Sequence, residues 1–219
     1  MEKNILVVAA TAIEIKPFLQ HLKEGKITGK NIDVLISGIG LTASTYHIAK
    51  QIQLKKYQLV IQAGVAGCFD TSIPLGTVLA VKKETIADQS VVELNKLKTL
   101  FDLKLVPQDQ HPYKKGWLIN PWNALLKKTK LKSVTGISVN QISTSKQIIR
   151  FYREQFSPVT ESMEGAALHY VCLLENVPFI QLRSISNYIG ERNKKKWDMQ
   201  DSIINLNKTL ERFINICIA

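Results

Sequence analysis

The hydrophobic and polar positions along this chain alternate between short, continuous apolar runs and stretches with helical spacing. The runs at 4–10, 58–63 and 179–185 are too apolar for strands with one face in water, so they predict strands buried on both faces. Between the runs, apolar residues recur every three or four positions, which is typical of helices that bury one face. Further strands are predicted at 32–37, 76–87, 134–139 and 159–161, and helices at 15–22, 42–54, 121–128, 143–156, 163–177 and 198–214.

This alternation of strands and helices predicts an α/β fold with a largely parallel or mixed sheet. The chain has 219 residues, of which 45% are hydrophobic, and this suffices for one sizeable core. We therefore expect residues 1–219 to form a single domain. The stretch 88–121 is irregular and rich in Lys and Pro, and is predicted as loops with short elements.

The start of the chain and its cysteines bear on the compartment. The first residues lead directly into a short apolar run, which is typical of neither a signal peptide nor a membrane span, and no other stretch approaches the length of a span. Cys68, Cys172 and Cys217 are odd in number and far apart, which favours reduced thiols over disulfides or a metal site. We expect a cytoplasmic protein with no metal and no membrane partner.

The net charge of +11 has two interpretations. A basic domain attracts the phosphates of nucleic acid. Here, however, the lysines lie in short scattered runs, and none is interleaved with aromatic residues as in a surface on which bases stack. The pattern favours a solvated basic surface, so we expect no nucleic-acid partner. Attraction of a small anionic substrate is compatible with either interpretation.

Two glycine turns follow predicted strands directly, at 38–40 and 64–67. Glycine lets the backbone turn tightly and lets a ligand approach main-chain N–H groups. Neither turn matches a P-loop or a complete GxGxxG, and either alone could be an ordinary tight turn. Together with Ser186 and Asn187, which end another predicted strand, they predict a shared ligand crevice at the carboxyl end of the sheet.

Four motifs carry a resemblance to a known family. They are Gly38-Ile39-Gly40, Ala63-Gly64-Val65-Ala66-Gly67, Met163-Glu164-Gly165-Ala166-Ala167 and Arg183-Ser184-Ile185-Ser186-Asn187. Over essentially its whole length the chain resembles the nucleoside phosphorylase and nucleosidase superfamily. Within it the chain most resembles the futalosine hydrolases, with methylthioadenosine/adenosylhomocysteine nucleosidases as the nearest relatives. The distinctive stretch runs from Ser186 to Arg192 and on to Lys196-Trp197-Asp198.

The resemblance implies a fold, an activity and partners. The fold is a three-layer α/β/α sandwich around a central mixed β-sheet, nucleoside phosphorylase-like and usually assembled as a homodimer. The activity is cleavage of the N-glycosidic bond of a small-molecule nucleoside without metal or organic cofactor. For futalosine hydrolases, hydrolysis frees hypoxanthine and leaves dehypoxanthine futalosine, in alternative menaquinone biosynthesis.

Glu14 matches the family's acid/base glutamate, which activates a water for attack on the anomeric carbon. A carboxylate can take this role where it lies within hydrogen-bond reach of that water. The alternative is structural, because Thr11 and Glu14 have the spacing of a capping box. Pro17 weakens this alternative, since a helix that began at Ala12 would place the proline beyond its first turn.

Glu164 matches the glutamate that accepts hydrogen bonds from ribose hydroxyls, and Met163 matches the apolar wall under the sugar. Charge-assisted bonds of this kind are strong and orient the ring. Alternatively, Glu164 only favours the positive end of its helix. Arg183 matches an arginine near the same pocket, but could equally be a structural ion-pair partner. Further substrate contacts are expected from Val65, Ala66, Gly67, Ile142, Ser143 and Ser186.

Two positions depart from the relatives. Val65 stands where relatives often have a hydroxyl residue, which leaves the ligands of the water unassigned. Asn187 stands where methylthioadenosine-type nucleosidases have an aspartate, which donates to purine N7 when protonated and accepts from a 6-amino group. An asparagine can instead donate to a 6-oxo group and pair with a protonated N7. Unless Asn187 merely ends a strand, it favours a hypoxanthine-type base. The predicted catalytic residues are thus Glu14, Glu164 and Asn187.

Other functions stay open beside futalosine hydrolysis. The first is a methylthioadenosine/adenosylhomocysteine nucleosidase. The second is a purine nucleoside phosphorylase, which would need an arginine-rich phosphate site near the glycine turns, and these turns hold no Arg. The third is a non-catalytic nucleoside-binding or RNA-binding module that uses the basic surface.

Overall fold

The computed structural model describes residues 4–27 and 31–218. None of the helices in these ranges has the length and apolar content needed to cross a lipid bilayer. A single 3₁₀ turn at 194–196 precedes the last helix. The strands and α-helices are, in chain order, β1 (Ile5–Ala9), α1 (Lys16–Lys23), β2 (Ile32–Ile36), α2 (Leu41–Leu54), β3 (Leu59–Cys68), β4 (Val78–Glu84), β5 (Ser90–Glu93), β6 (Lys96–Thr99), β7 (Leu118–Ile119), α3 (Asn123–Thr129), β8 (Ser133–Ser138), α4 (Lys146–Phe156), β9 (Thr160–Ser162), α5 (Gly165–Leu174), β10 (Phe179–Tyr188) and α6 (Met199–Ile218).

The central sheet is mixed, as predicted. Its strands follow the order β10-β4-β8-β9-β3-β1-β2, and β7 pairs with β4. Strand β1 is parallel to β2 and β3, and β3 is parallel to β10, whereas β4 is antiparallel to β10. Strand β9 joins β8 to β3, so β3, β10, β4, β8 and β9 close into a ring at one side of the sheet.

Helices cover both faces of this sheet. Ile5 of β1 belongs to a buried cluster with Phe213 of α6, whereas the next residue, Leu6, belongs to a different cluster with Ile48 of α2 and Leu168 of α5. Successive strand residues point to opposite faces, so β1 is buried on both sides, as its continuous apolar run predicts. The three-layer α/β/α sandwich is confirmed.

The structure differs from the predicted elements mainly in three places. The glycine turn predicted at 64–67 is wrong, because β3 continues through these residues to Cys68. The irregular stretch 88–121 contains the β5–β6 hairpin and the short strand β7. Strand β10 continues to Tyr188, beyond the predicted end at residue 185, and its register with β3 shifts between Ile185 and Asn187. Such an irregularity bends a strand and changes where its side chains point. Ser186 and Asn187, which directly follow Ile185, line the cavity described next.

Candidate active site

A cavity of about 360 Å³ lies at the carboxyl ends of β1, β3 and β10. This is the edge of the sheet at which the glycine turns and Ser186-Asn187 predict a ligand crevice. The structure brings all but two of the predicted site residues to the wall of this cavity. Those that line it are Glu14, Val65, Ala66, Gly67, Ile142, Met163, Glu164, Ser186 and Asn187.

Glu14 lies in the loop between β1 and α1, and is 8% exposed. Its Oε2 accepts hydrogen bonds from the backbone N–H of Thr11 at 3.0 Å and from its hydroxyl at 3.1 Å. Its Oε1 accepts from the backbone N–H of Val65 at 3.1 Å. The helix begins only at Lys16, with Pro17 in its first turn, so Thr11 is not its N-cap. The bonds to Thr11 and Val65 instead fix the carboxylate at the cavity wall.

Glu164 lies directly before α5 and ties this helix to the first glycine turn. Its Oε1 accepts from the backbone N–H of Gly40 at 3.0 Å. Its Oε2 lies 3.8 Å from Nη1 of Arg183, a longer contact that leaves lone pairs for a ligand hydroxyl. Burial raises the pKa of Glu164, against the opposing effects of the Arg183 cation and the Gly40 N–H, while the charge of Glu14 raises it further.

Arg183 lies behind the cavity wall and does not line it. It is 1% exposed, and its Nη2 donates to Oε1 of Gln62 at 2.8 Å. A methyl group at Gly64 would overlap the Arg183 guanidinium and would come within 3.0 Å of Oε1 of Glu14. Residue 64, within β3, must therefore be glycine for this buried cation to lie beside the carboxylate of Glu164. This geometry favours the alternative that Arg183 is a structural ion-pair partner of Glu164.

Asn187 has a defined amide orientation. Its Oδ1 accepts from the Ser186 hydroxyl at 3.0 Å, and its Nδ2 donates to the backbone carbonyl of Tyr188 at 3.2 Å. A carbonyl oxygen can only accept, so the NH₂ group of the amide, and not its oxygen, must face Tyr188. One N–H of this NH₂ group and one lone pair of Oδ1 then remain for a ligand.

Ser143 is the other predicted residue that does not line this cavity. Its side chain lines a neighbouring cavity, and Ile142 borders both. The backbone N–H of Ser143 donates to Oε1 of Glu161 at 3.0 Å. Glu161 does line the main cavity, and burial raises the pKa of its carboxyl group. Its Oε2 is buried and has no hydrogen-bond partner among the described residues.

Several cavity residues were not predicted from the sequence. Glu161 falls in a short strand in which nothing distinguishes it from a structural residue. Arg192 and Trp197 did carry a signal, because they lie in the stretch from Ser186 to Asp198 on which the resemblance to futalosine hydrolases rests. The unpredicted residues of the wall are Ala10, Thr11, Ile13, Ile39, Glu161, Ser162, Ile189, Arg192, Trp197 and Met199.

The chemistry available in the cavity is that of carboxylates, an amide, the Arg192 guanidinium and an apolar wall. Glu14, Glu161 and Glu164 are acceptors that could bind water or hydroxyls, and Asn187 can both donate and accept. Within residues 4–27 and 31–218, no three His, Cys, Asp or Glu side chains are grouped so that they could hold a metal ion.

Comparison with known proteins gives a family for the whole described chain. The sequence profile of the phosphorylase superfamily matches residues 5–219. A 5′-methylthioadenosine/S-adenosylhomocysteine nucleosidase from Shewanella frigidimarina is 30% identical over 172 residues, which cover 74% of this chain and 71% of that protein. The corresponding nucleosidase from Glaesserella parasuis is 27% identical over 191 residues, which cover 80% and 76%.

Solved structures agree with the fold. The native futalosine hydrolase of Helicobacter pylori superposes with a TM-score of 0.80 at 24% identity, over 98% of both chains. A 5′-methylthioadenosine/S-adenosylhomocysteine nucleosidase from the same organism, solved with butyl-thio-DADMe-Immucillin-A, superposes with a TM-score of 0.81 at 23% identity, over 99% of both chains. At this level of identity the superpositions establish the common architecture.

Proposed function

Since this chain belongs to the phosphorylase superfamily and is a nucleosidase of that family, we propose that its substrate is futalosine. The reaction is hydrolysis of the N-glycosidic bond, which releases hypoxanthine and leaves dehypoxanthine futalosine. The proposal concerns the substrate, and its main support is the amide of Asn187. The catalytic roles follow from the hydrogen-bonding capacity of the cavity residues.

The amide of Asn187 complements a 6-oxopurine. Its Nδ2 has one N–H left after the bond to Tyr188, and this hydrogen can be donated to the 6-oxo group. Its Oδ1 has a second lone pair beyond the bond from Ser186, and this can accept from a protonated N7 of the departing base. The 6-amino group of adenine would instead bring its own N–H groups against the NH₂ of Asn187.

In the proposed reaction, the oxygen of a water attacks C1′ of the ribose as the bond from C1′ to the base nitrogen breaks. The bonding electron pair leaves with the base, which takes a proton at N7 from solvent water, and Glu14 accepts the proton that the attacking water loses. Glu14 suits this role because bonds from Thr11 and Val65 already fix its carboxylate at the cavity wall. A carboxylate held in advance costs little reorganisation when the reaction occurs.

Glu164 holds the ribose in this proposal. Its Oε2 keeps lone pairs for a ribose hydroxyl, while Oε1 is anchored by Gly40. The sugar gains positive charge in the oxocarbenium-like transition state of glycoside hydrolysis. Carboxylates around it stabilise that charge, and Arg183, the nearby cation, lies behind the wall and does not contact the sugar.

A substrate with adenine is the second candidate, because the relatives with 27% and 30% identity are methylthioadenosine/adenosylhomocysteine nucleosidases. The two candidates differ at the 6-position of the base. A 6-amino group that faced the NH₂ of Asn187 would leave buried donors unpaired, at a cost of about 1–3 kcal/mol. This cost is what favours the 6-oxopurine.

The decisive experiment incubates the protein separately with futalosine and methylthioadenosine in phosphate-free buffer and quantifies free base by chromatography. We expect hypoxanthine to be released from futalosine faster than adenine is released from methylthioadenosine. Adding phosphate should leave both rates unchanged. Asn187→Asp should lower kcat/KM for futalosine by roughly 10- to 100-fold and raise it for methylthioadenosine. Adenine release that exceeds hypoxanthine release in the unmodified protein would overturn the proposal, and a rate that requires phosphate would indicate a phosphorylase.

A further inference from the structure

Arg192 is the cationic side chain of the cavity wall within the described part of the chain. It is exposed, and its guanidinium lies 5.5 Å from the centre of the Trp197 ring, which also lines the cavity. Both residues belong to a loop at 191–198, which connects β10 to α6. Neither residue has a role in the hydrolysis proposed above.

No described residue neutralises the charge of Arg192. Among residues 4–27 and 31–218, no carboxylate forms an ion pair with its guanidinium. The adjacent carboxylate, Glu191, is instead bound by Nζ of Lys196 at 2.8 Å. A guanidinium presents several N–H donors in one plane, and this fork matches both oxygens of a carboxylate. Arg192 therefore keeps its full capacity to bind an anion at the cavity.

The loop at 191–198 is held in place beside the base-recognition residue. The indole N–H of Trp197 donates to the backbone carbonyl of Glu191 at 3.1 Å. The backbone N–H of Asp198 donates to the carbonyl of Ser186 at 2.8 Å, next to Asn187. These bonds orient the indole ring before a ligand arrives. A preorganised aromatic ring next to a cation is suited to a ligand that has an apolar ring and a negative charge.

The rim of the same cavity is apolar and exposed. Ile13 is 69% exposed and Ile39 is 62% exposed, and both line the cavity together with Met199. Exposed large apolar side chains that cluster at a cavity commonly mark a binding surface. The apolar wall assigned to the sugar is Met163, so Ile13, Ile39 and Met199 form an apolar surface in addition to it. An additional apolar part of the substrate would cover it.

From these contacts we infer that Arg192 and Trp197 form a subsite for an apolar, aromatic substituent on the ribose that ends in a carboxylate. The guanidinium of Arg192 binds the carboxylate, and the indole of Trp197 packs against the ring that carries it. The inference rests on the proposed function, since futalosine carries a benzoate tail. It assigns to this site a preference for anionic over neutral ribose substituents.

The test compares futalosine with its methyl ester, which keeps the aromatic tail and removes the charge. We expect Arg192→Gln to lower the ratio of kcat/KM for futalosine to that for the ester by roughly 10- to 100-fold, mainly through KM. Arg192→Lys should lower this ratio less than Arg192→Gln does, because lysine keeps the positive charge but lacks the paired N–H donors of the guanidinium. The matched control is Lys194→Gln, which removes an exposed cation of the same loop that does not line the cavity.

The outcomes separate this inference from the proposed function. An unchanged ratio in Arg192→Gln, or an equal change in Lys194→Gln, would overturn the subsite. If the unmodified protein released no hypoxanthine from futalosine, the proposed function would fall. The ratio would then be taken from the dissociation constants of futalosine and its ester by calorimetry, and the same shift in Arg192→Gln would still be required.

Discussion

The buried carboxylates at the cavity wall and the buried carboxylate of Glu84 differ in what surrounds them. Glu14 and Glu164 lie at the wall of the cavity. Glu84 lies at the end of β4, is 1% exposed and does not line the cavity. Its Oε1 accepts from Nε2 of Gln181 at 2.9 Å, and its Oε2 accepts from the Ser138 hydroxyl at 3.2 Å. Burial raises the pKa of Glu84 to about 7.

The surroundings of Glu84 are those of a structural group. The Ser138 hydroxyl that donates to it also accepts from the backbone N–H of Ala166 at 2.8 Å, in the first turn of α5. A methyl group at Gly165 would overlap both the Glu84 carboxyl and the Gln181 amide. Glu84 thus fixes the start of the helix that directly follows Glu164, and it does not line the cavity itself.

A strongly shifted pKa therefore does not by itself distinguish a chemical site in this protein. Perturbed groups are often functional, but burial in a hydrogen-bonded cluster perturbs them equally. What distinguishes the cavity carboxylates is that they reach an open space and keep lone pairs for a ligand. Three predictions test this contrast, in order of decreasing effect.

The largest effect is expected from Glu14→Gln. Loss of the proton acceptor should lower kcat by about 10²- to 10⁴-fold. The amide has one acceptor oxygen where the carboxylate has two, so either Val65 or Thr11 loses a bond, at a cost of about 1 kcal/mol in the free energy of unfolding. Steady-state kinetics and urea unfolding measure the two effects. Glu154→Gln, an exposed carboxylate on α4, is the control. A loss of kcat of less than tenfold would contradict the role of Glu14.

Glu84→Ala should lose much stability and little kcat, the reverse of what we expect for Glu14→Gln. It leaves the Gln181 amide and the Ser138 hydroxyl without their acceptor and opens a cavity, so we expect the free energy of unfolding to fall by about 3 kcal/mol. Below its melting temperature, the variant should keep kcat within about tenfold of the unmodified protein, because Glu84 touches no substrate. Glu84→Gln keeps the shape and should lose less stability. A variant that is stable but inactive would place Glu84 in the chemistry.

The sequence predicts the cavity better than it predicts the cluster around Glu84, for a physical reason. Most cavity residues lie in the last part of a strand or directly after one, and the motifs there are local signals that strand order then brings together. Glu84 lies within a predicted strand, and its burial depends on Gln181 and Gly165, which are distant in the chain. No local pattern indicates that contact.

Arg183 and Ser143 show the same limit inside the predicted site. Whether Arg183 reaches the cavity or lies behind its wall depends on the space that Gly64 leaves beside β3. The backbone N–H of Ser143 donates to Glu161, and the position of Glu161 depends on the register in which β9 pairs with β8. Registers and close backbone approaches arise from the assembled sheet, so motifs could identify the neighbourhood of these residues but not their orientation.

The smallest of the three effects is a change in the pH dependence of stability. Burial raises the pKa of Glu84 from 4.5 to about 7 and lowers the pKa of His169 from 6.5 to about 4. The stability from Glu84 is present at low pH and is lost as pH rises toward its folded pKa. The stability from His169 is present at high pH and is lost as pH falls toward its folded pKa. Between about pH 4.5 and about pH 6.5, where both groups bind different numbers of protons in the folded and unfolded states, the two contributions to stability oppose each other.

Glu84→Gln should therefore remove the contribution of Glu84 and leave the opposing contribution of His169 in place. His169 is buried, and its Nε2 has no hydrogen-bond partner among the described residues, so burial favours the neutral ring, whose Nδ1–H donates to the backbone carbonyl of Leu118 at 3.0 Å. Between about pH 5 and about pH 6.5, the free energy of unfolding should rise by about 1–2 kcal/mol more in Glu84→Gln than in the unmodified protein. Urea unfolding at the two pH values measures this difference, in which groups common to both proteins cancel. Equal slopes would show that Glu84 does not hold its proton in the folded state, and the contrast between the buried cluster and the cavity would lose its electrostatic basis.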